Sequence, residues 1–86
     1  MNVVYSRNFL KAVSHLPVQI QEKLDELLAI LAEEPFHALL HTKQLAGELR
    51  ESYSFRVTRD WRVIFEFETR DTIRLVAVGH RKDIYR

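Results

Sequence analysis

Five side chains in the C-terminal half are the ones best suited to chemistry: Arg56, Arg62, Arg81, His80 and Tyr85. A guanidinium presents a planar fork of donors that matches the oxygens of a phosphate. Imidazole is the side chain that gains and loses a proton near neutral pH, which makes His80 the natural proton shuttle of the group. A terminal tyrosine offers a ring to stack on a base, or a hydroxyl. Together these types point to a phosphate-bearing ligand. They do not point to a metal: the chain has no cysteine, and His37 and His41 have no third histidine or cysteine at ligand spacing. No cofactor is implied.

The stretch that must position these residues runs from Tyr53 to Tyr85, YSFRVTRDWRVIFEFETRDTIRLVAVGHRKDIY. It holds three runs with alternate apolar residues: Tyr53, Phe55, Val57, then Trp61, Val63, Phe65, Phe67, then Ile73, Leu75, Ala77. Such a period of two predicts consecutive antiparallel strands with one face on a core, Trp61 included. A one-residue slip would turn a strand's apolar set to the wrong face, so the register must stay even. With Thr58, Arg59 and Asp60 as the first loop, Tyr53 lies opposite Phe65, Phe55 opposite Val63 and Val57 opposite Trp61.

On the other face Arg56 then faces Arg62. With Thr69, Arg70 and Asp71 as the second loop, Glu66 faces Arg74, Arg62 faces Val78, and His80 comes beside Asp60. Like charges directly opposite cost a few tenths to ~1 kcal/mol unless an anion lies between them. One end of this face is therefore expected to gather Arg56, Arg62, His80 and Arg81, open to a phosphate.

The first half supplies the support. Asn2–Tyr5 is a short β-branched candidate strand, and Ser6 is placed to cap a helix from Arg7 to His15. That helix stops before Pro17, which suits the first turn of a second one, Val18 to Glu34. Ile20, Leu24, Leu27, Leu28 and Leu31 make its apolar stripe; Gln21, Glu22, Asp25, Glu26 and Glu33 make a solvated acidic face. Pro35 ends it, and Phe36 to Glu51 reads as irregular, with Gly47 in a turn. The order is βααβββ: one α+β domain, residues 1–86, with a helix hairpin packed on one face of a twisted antiparallel sheet.

Net charge is only +1, but its distribution is uneven. Residues 1–43 carry four basic against five acidic side chains, and residues 44–86 nine against seven, so the positive charge sits on the strand half. No apolar run approaches the roughly 20 residues of a membrane span, and Met1 to Val13 does not read as a leader peptide. No membrane association and a cytoplasmic location are expected.

The string LAGELRESYSFRVTRDWRVIFEF followed by IRLVAVGHRKDIY resembles the RelE/ParE superfamily of bacterial type II toxins, over nearly the whole chain. The most specific parts are the arginine of DWRVIF and the terminal GHRKDIY, and the likeness is to the RelE-like ribonuclease branch. It implies a metal-independent endoribonuclease that cleaves messenger RNA in the ribosomal A site, against 16S rRNA, and blocks translation. By that likeness Arg62 is the phosphate clamp, Arg81 stabilises phosphate or leaving group, and Arg56 contacts phosphate or accepts a proton. Tyr85 stacks on a base or acts as an acid/base hydroxyl. Lys43, Arg59 and Lys82 are implied as further RNA contacts. In other branches the reactive histidine stands one position later, where this chain has Arg81, so His80 is either catalytic or structural. The implied partner is a cognate antitoxin in a hetero-oligomer. The same scaffold also serves ParE-like gyrase inhibitors and degenerate toxins that only bind antitoxin.

Overall fold

The computed structural model describes residues 1–85. The chain runs β1 (Asn2–Tyr5), α1 (Arg7–Val13), α2 (Val18–Glu33), β2 (Lys43–Gln44), β3 (Tyr53–Arg56), β4 (Trp61–Thr69) and β5 (Thr72–His80). Both helices pack on one face of a single sheet of order β1-β5-β4-β3-β2. The α+β hairpin-on-sheet architecture is as expected, with two corrections. The sheet is mixed, because β1 runs parallel to β5; the intervening helix hairpin gives the crossover a parallel neighbour requires. It also has a fifth strand, β2, whose two residues carry no β-branched or alternating signal.

Local chemistry sets the helix limits. Ser6 caps α1 by accepting a bond from the Phe9 amide at 3.0 Å. The helix closes at Val13 through tight turns from His15 to Ala12 and from Leu16 to Val13, two residues earlier than expected. Gln21 bridges the corner, its amide nitrogen donating to the carbonyls of Val13 and Leu16. α2 stops at Glu33 because Glu34 is extended ahead of Pro35.

The core lies between helices and sheet. Phe9, Leu16, Leu24, Leu27 and Leu31 meet Phe55, Val57, Val63, Phe65, Ile73, Leu75 and Val78, all buried. Trp61 packs at its margin. Burying each such side chain contributes about 1.5–3 kcal/mol, and this places the helices over one face only.

Strand register decides what occupies the other face. β3 and β4 pair as expected, with Tyr53 opposite Phe65, Phe55 opposite Val63 and Arg56 opposite Arg62. β4 and β5 begin as expected, with Glu66 opposite Arg74. The turn is tighter than the sequence implies: Thr69 pairs with Thr72, leaving Arg70 and Asp71 as a two-residue turn, and an irregularity between Phe67 and Thr69 absorbs the difference.

A β-bulge then overturns the rest of the expected register. Phe65 pairs with Leu75 but Ile64 pairs with Ala77, so Val76 is the extra residue. Beyond it Arg62 faces Gly79, not Val78, and His80 faces Trp61, not Asp60. Ser6 holds the bulge from the α1 side: its hydroxyl donates to the Val76 carbonyl at 3.0 Å and its amide to that of Leu75 at 3.0 Å.

The face away from the helices is not wholly open. Ser54 and Ile64 lie on it and are buried. The C-terminal turn 81–85 comes over it, and the turn 45–50, with Gly47 in the left-handed region (φ 66°), borders a cleft with Tyr85. Ile84 of the C-terminal turn sits where a side chain on Gly79 would reach, 3.7 Å from that position.

Candidate anion site on the covered sheet face

Arg56 and Arg62 are directly opposed on β3 and β4. The loop between these strands fixes Arg62: its Nη1 donates to the carbonyls of Thr58 at 2.7 Å and Arg59 at 2.6 Å. Both Nη1 hydrogens are used, and Nη2 and Nε have no partner among the described residues. Arg56 is exposed and, among the described residues, has neither hydrogen bond nor ion pair; Arg62 has no carboxylate partner. Two adjacent guanidiniums with no counter-ion among the described residues form a site that an anion would stabilise.

The nearest carboxylate on the strand is committed elsewhere. Glu66 lies four residues along β4, about 13 Å away. It pairs with Arg74 at 3.7 Å and accepts a bond from the Ser52 hydroxyl at 3.3 Å. Asp60 is also engaged, with its carboxylate 3.3 Å from Arg81 Nε and its carbonyl accepting from the Arg81 amide at 2.7 Å.

The bulge separates His80 from this group. Its partner Trp61 belongs to the helix side of the sheet, and the two rings meet edge to face at 5.6 Å. His80 Nδ1 accepts from the Lys82 amide at 3.2 Å, which closes the turn. The Asp60 neighbour expected to orient His80 is thus not in place, because Asp60 faces Arg81. Strand alternation puts His80 and Arg62 on opposite faces.

Lys43 shares the Arg56–Arg62 face through its pairing with Ser54. It lines a cleft of about 320 Å³ with Leu45, Ala46, Leu49 and Tyr85. The structure therefore brings Tyr85 beside Lys43, flanked by aliphatic walls. Arg59 is exposed and enters the Arg62 anchor through its carbonyl; Lys82 is exposed in the terminal turn. Sequence reasoning missed the loop carbonyls and the walls Leu45, Ala46 and Leu49, since neither carries a type or spacing signal. His37 and His41 serve backbone geometry: His37 Nδ1 caps a turn by accepting from the Leu39 amide, and His41 is left-handed (φ 51°).

Residues 3–85 match the family model of the ParE toxin of type II toxin–antitoxin systems, parDE. The chain belongs to this family. It is thus a toxin of the RelE/ParE superfamily, and the sheet face just described is that of a toxin. Among solved structures the toxin is similar to YafQ from E. coli (TM-score 0.82, 21% identity, 99% of this chain and 98% of that one). It is also similar to the YoeB/ParE toxin from Agrobacterium tumefaciens (TM-score 0.80, 16% identity, 94% and 99%). The toxin–antitoxin complex RelBE2 from Mycobacterium tuberculosis is a further match (TM-score 0.78, 23% identity, 93% and 96%). At these identities the likeness is one of fold. No curated protein matches the toxin in sequence. Among the described residues no helix is long and apolar enough to cross a membrane.

Proposed function

We propose that the toxin is a metal-independent endoribonuclease that cleaves messenger RNA in the ribosomal A site, in the cytoplasm, and so inhibits translation. The observation that carries this reading is the Arg56–Arg62 pair, two opposed guanidiniums without a carboxylate partner among the described residues, one of them locked by its loop. In such a reaction the 2′-oxygen of one nucleotide forms a bond to the adjacent phosphorus as the bond from phosphorus to the 5′-oxygen breaks. The 2′-hydroxyl loses a proton and the departing oxygen gains one. The nucleophile belongs to the RNA, so the protein's task is to place the phosphodiester and hold the charge that builds on its oxygens.

Arg62 meets that charge through Nη2 and Nε, with Arg56 beside it. Arg81 and Tyr85, carried on one turn, serve the leaving group and the flanking base. Lys43, Arg59 and Lys82 add contacts to the RNA backbone. Removing a donor to a developing oxyanion costs about 10²–10³ in rate, the scale expected for Arg62. As the RelBE2 complex pairs a toxin with an antitoxin, a cognate antitoxin is the proposed partner, covering this face in a hetero-oligomer.

Gyrase inhibition is the second reading, favoured by the ParE name of the matching family. In vitro translation with primer extension on a defined message, beside a gyrase supercoiling assay, separates the two. Ribosome-dependent cuts that disappear in Arg62→Ala and Arg81→Ala are expected. Intact message with blocked supercoiling would overturn the nuclease reading and recast the arginines as a protein-binding patch.

A further inference from the structure

The loop Thr58–Asp60 does more than join β3 to β4. Its first two carbonyls hold the Nη1 of Arg62, and its third residue holds Arg81 twice, by carboxylate and by carbonyl. Three consecutive residues thus grip both arginines proposed to meet the phosphate. The hold on Arg81 extends further, because Arg81 opens the terminal turn. Asp83 and Ile84 amides close that turn on the His80 carbonyl at 2.9 and 3.0 Å, and the turn puts Ile84 over Gly79, the partner of Arg62, and Tyr85 in the Lys43 cleft.

We propose that Asp60 is a positioning residue of the anion site: its carboxylate orients the Arg81 guanidinium relative to the loop-anchored Arg62, at the head of a turn that backbone bonds hold. This inference rests on the phosphate-site reading above. The alternative, that the pair merely stabilises the fold, is disfavoured by its exposure, with about half of each side chain accessible, because ion pairs so exposed add little stability. The carboxylate also leaves four of the five N–H donors available: Nε is engaged, while Nη1 and Nη2 of Arg81 have no hydrogen-bond partner among the described residues. Asp60 therefore orients the fork without saturating it.

Asp60→Asn keeps the size and the backbone bond but removes the charge, and Asp60→Glu keeps the charge. Single-turnover cleavage of a defined message on ribosomes is expected to slow about tenfold in Asp60→Asn, with the half-saturating concentration little changed. Asp60→Glu should recover most of the rate. In the Arg81→Ala background Asp60→Asn should add nothing, since a residue acting through Arg81 has no further effect once the guanidinium is gone. Losses that add in the double variant, or an unchanged or faster Asp60→Asn, would overturn the proposal. A second measurement needs no cleavage. In ¹⁵N-labelled toxin, Asp60→Asn should shift the Arg81 Nε–H resonance and lower its heteronuclear NOE, with Tm unchanged. Unaltered signals would sink the proposal even if the wild-type toxin cuts messages. Altered signals in a toxin that cuts nothing would uphold the grip on Arg81 and refute the nuclease reading instead.

Discussion

The two ends of one sheet face treat charge in opposite ways. At the turn end Glu66 faces Arg74 and takes a further bond from Ser52, so the cross-strand pair is neutral. At the loop end Arg56 faces Arg62 and backbone carbonyls are Arg62's only partners among the described residues. Strand β4 supplies one member of each pair, Glu66 at one end and Arg62 at the other. What differs is where the carboxylates stand, and the loop end accepts a small loss of stability to keep its fork donors unmatched. A neutral pair is a structural device; an unneutralised pair is an invitation to an anion.

The sharpest test of that contrast is Arg62→Ala, expected to lower message cleavage about 10²–10³-fold, or roughly 3–4 kcal/mol in the transition state, while chemical denaturation reports little change. Large destabilisation with intact cleavage would make the loop end structural as well.

Ser6→Ala comes next, because the bulge that separates the two registers hangs on that hydroxyl. Loss of the cap and of the Val76 bond should cost about 1–2 kcal/mol, read as a lower denaturation midpoint. Ser6→Thr, which keeps donor and acceptor, should stay near wild type.

Arg56→Glu would convert the loop end into a copy of the turn end. A new cross-strand pair should stabilise the fold by about 0.5–1 kcal/mol, raising Tm by a few degrees, while RNA binding and cleavage fall. A rise in both stability and binding would break the comparison. The smallest effect belongs to Glu66→Gln, whose half-exposed pair with Arg74 should be worth only a few tenths of a kcal/mol and whose removal should leave cleavage unaltered.

Much of this contrast could be read from the sequence, and one part could not. The β3–β4 register follows from Tyr53, Phe55, Val63 and Phe65, large apolar residues alternating with polar ones, and it brings Arg56 to Arg62 with no ambiguity. Ser6 as a cap and Pro35 as a stop are equally local. The bulge is different. Leu75, Val76, Ala77 and Val78 are all apolar, so the alternation that fixes register elsewhere falls silent over those four residues. The deciding partner is Ser6, 70 positions away along the chain, and no local pattern reports such a contact. That single extra residue moved His80 off the arginine face and set Asp60 against Arg81. The parallel placement of β1 is likewise tertiary, since a four-residue strand carries no mark of direction.

The anchoring of Arg62 by two carbonyls has a consequence for how the site meets a ligand. A free arginine side chain surrenders about 2 kcal/mol of rotamer freedom when it is immobilised, and a surface arginine such as Arg56 does so at the moment of binding. In Arg62 much of that ordering has already taken place during folding, so its remaining donors stand preorganised. The two neighbours should therefore divide the work by kinetics: the exposed, unanchored Arg56 captures a passing anion over a wide arc, and the anchored Arg62 determines how long it stays.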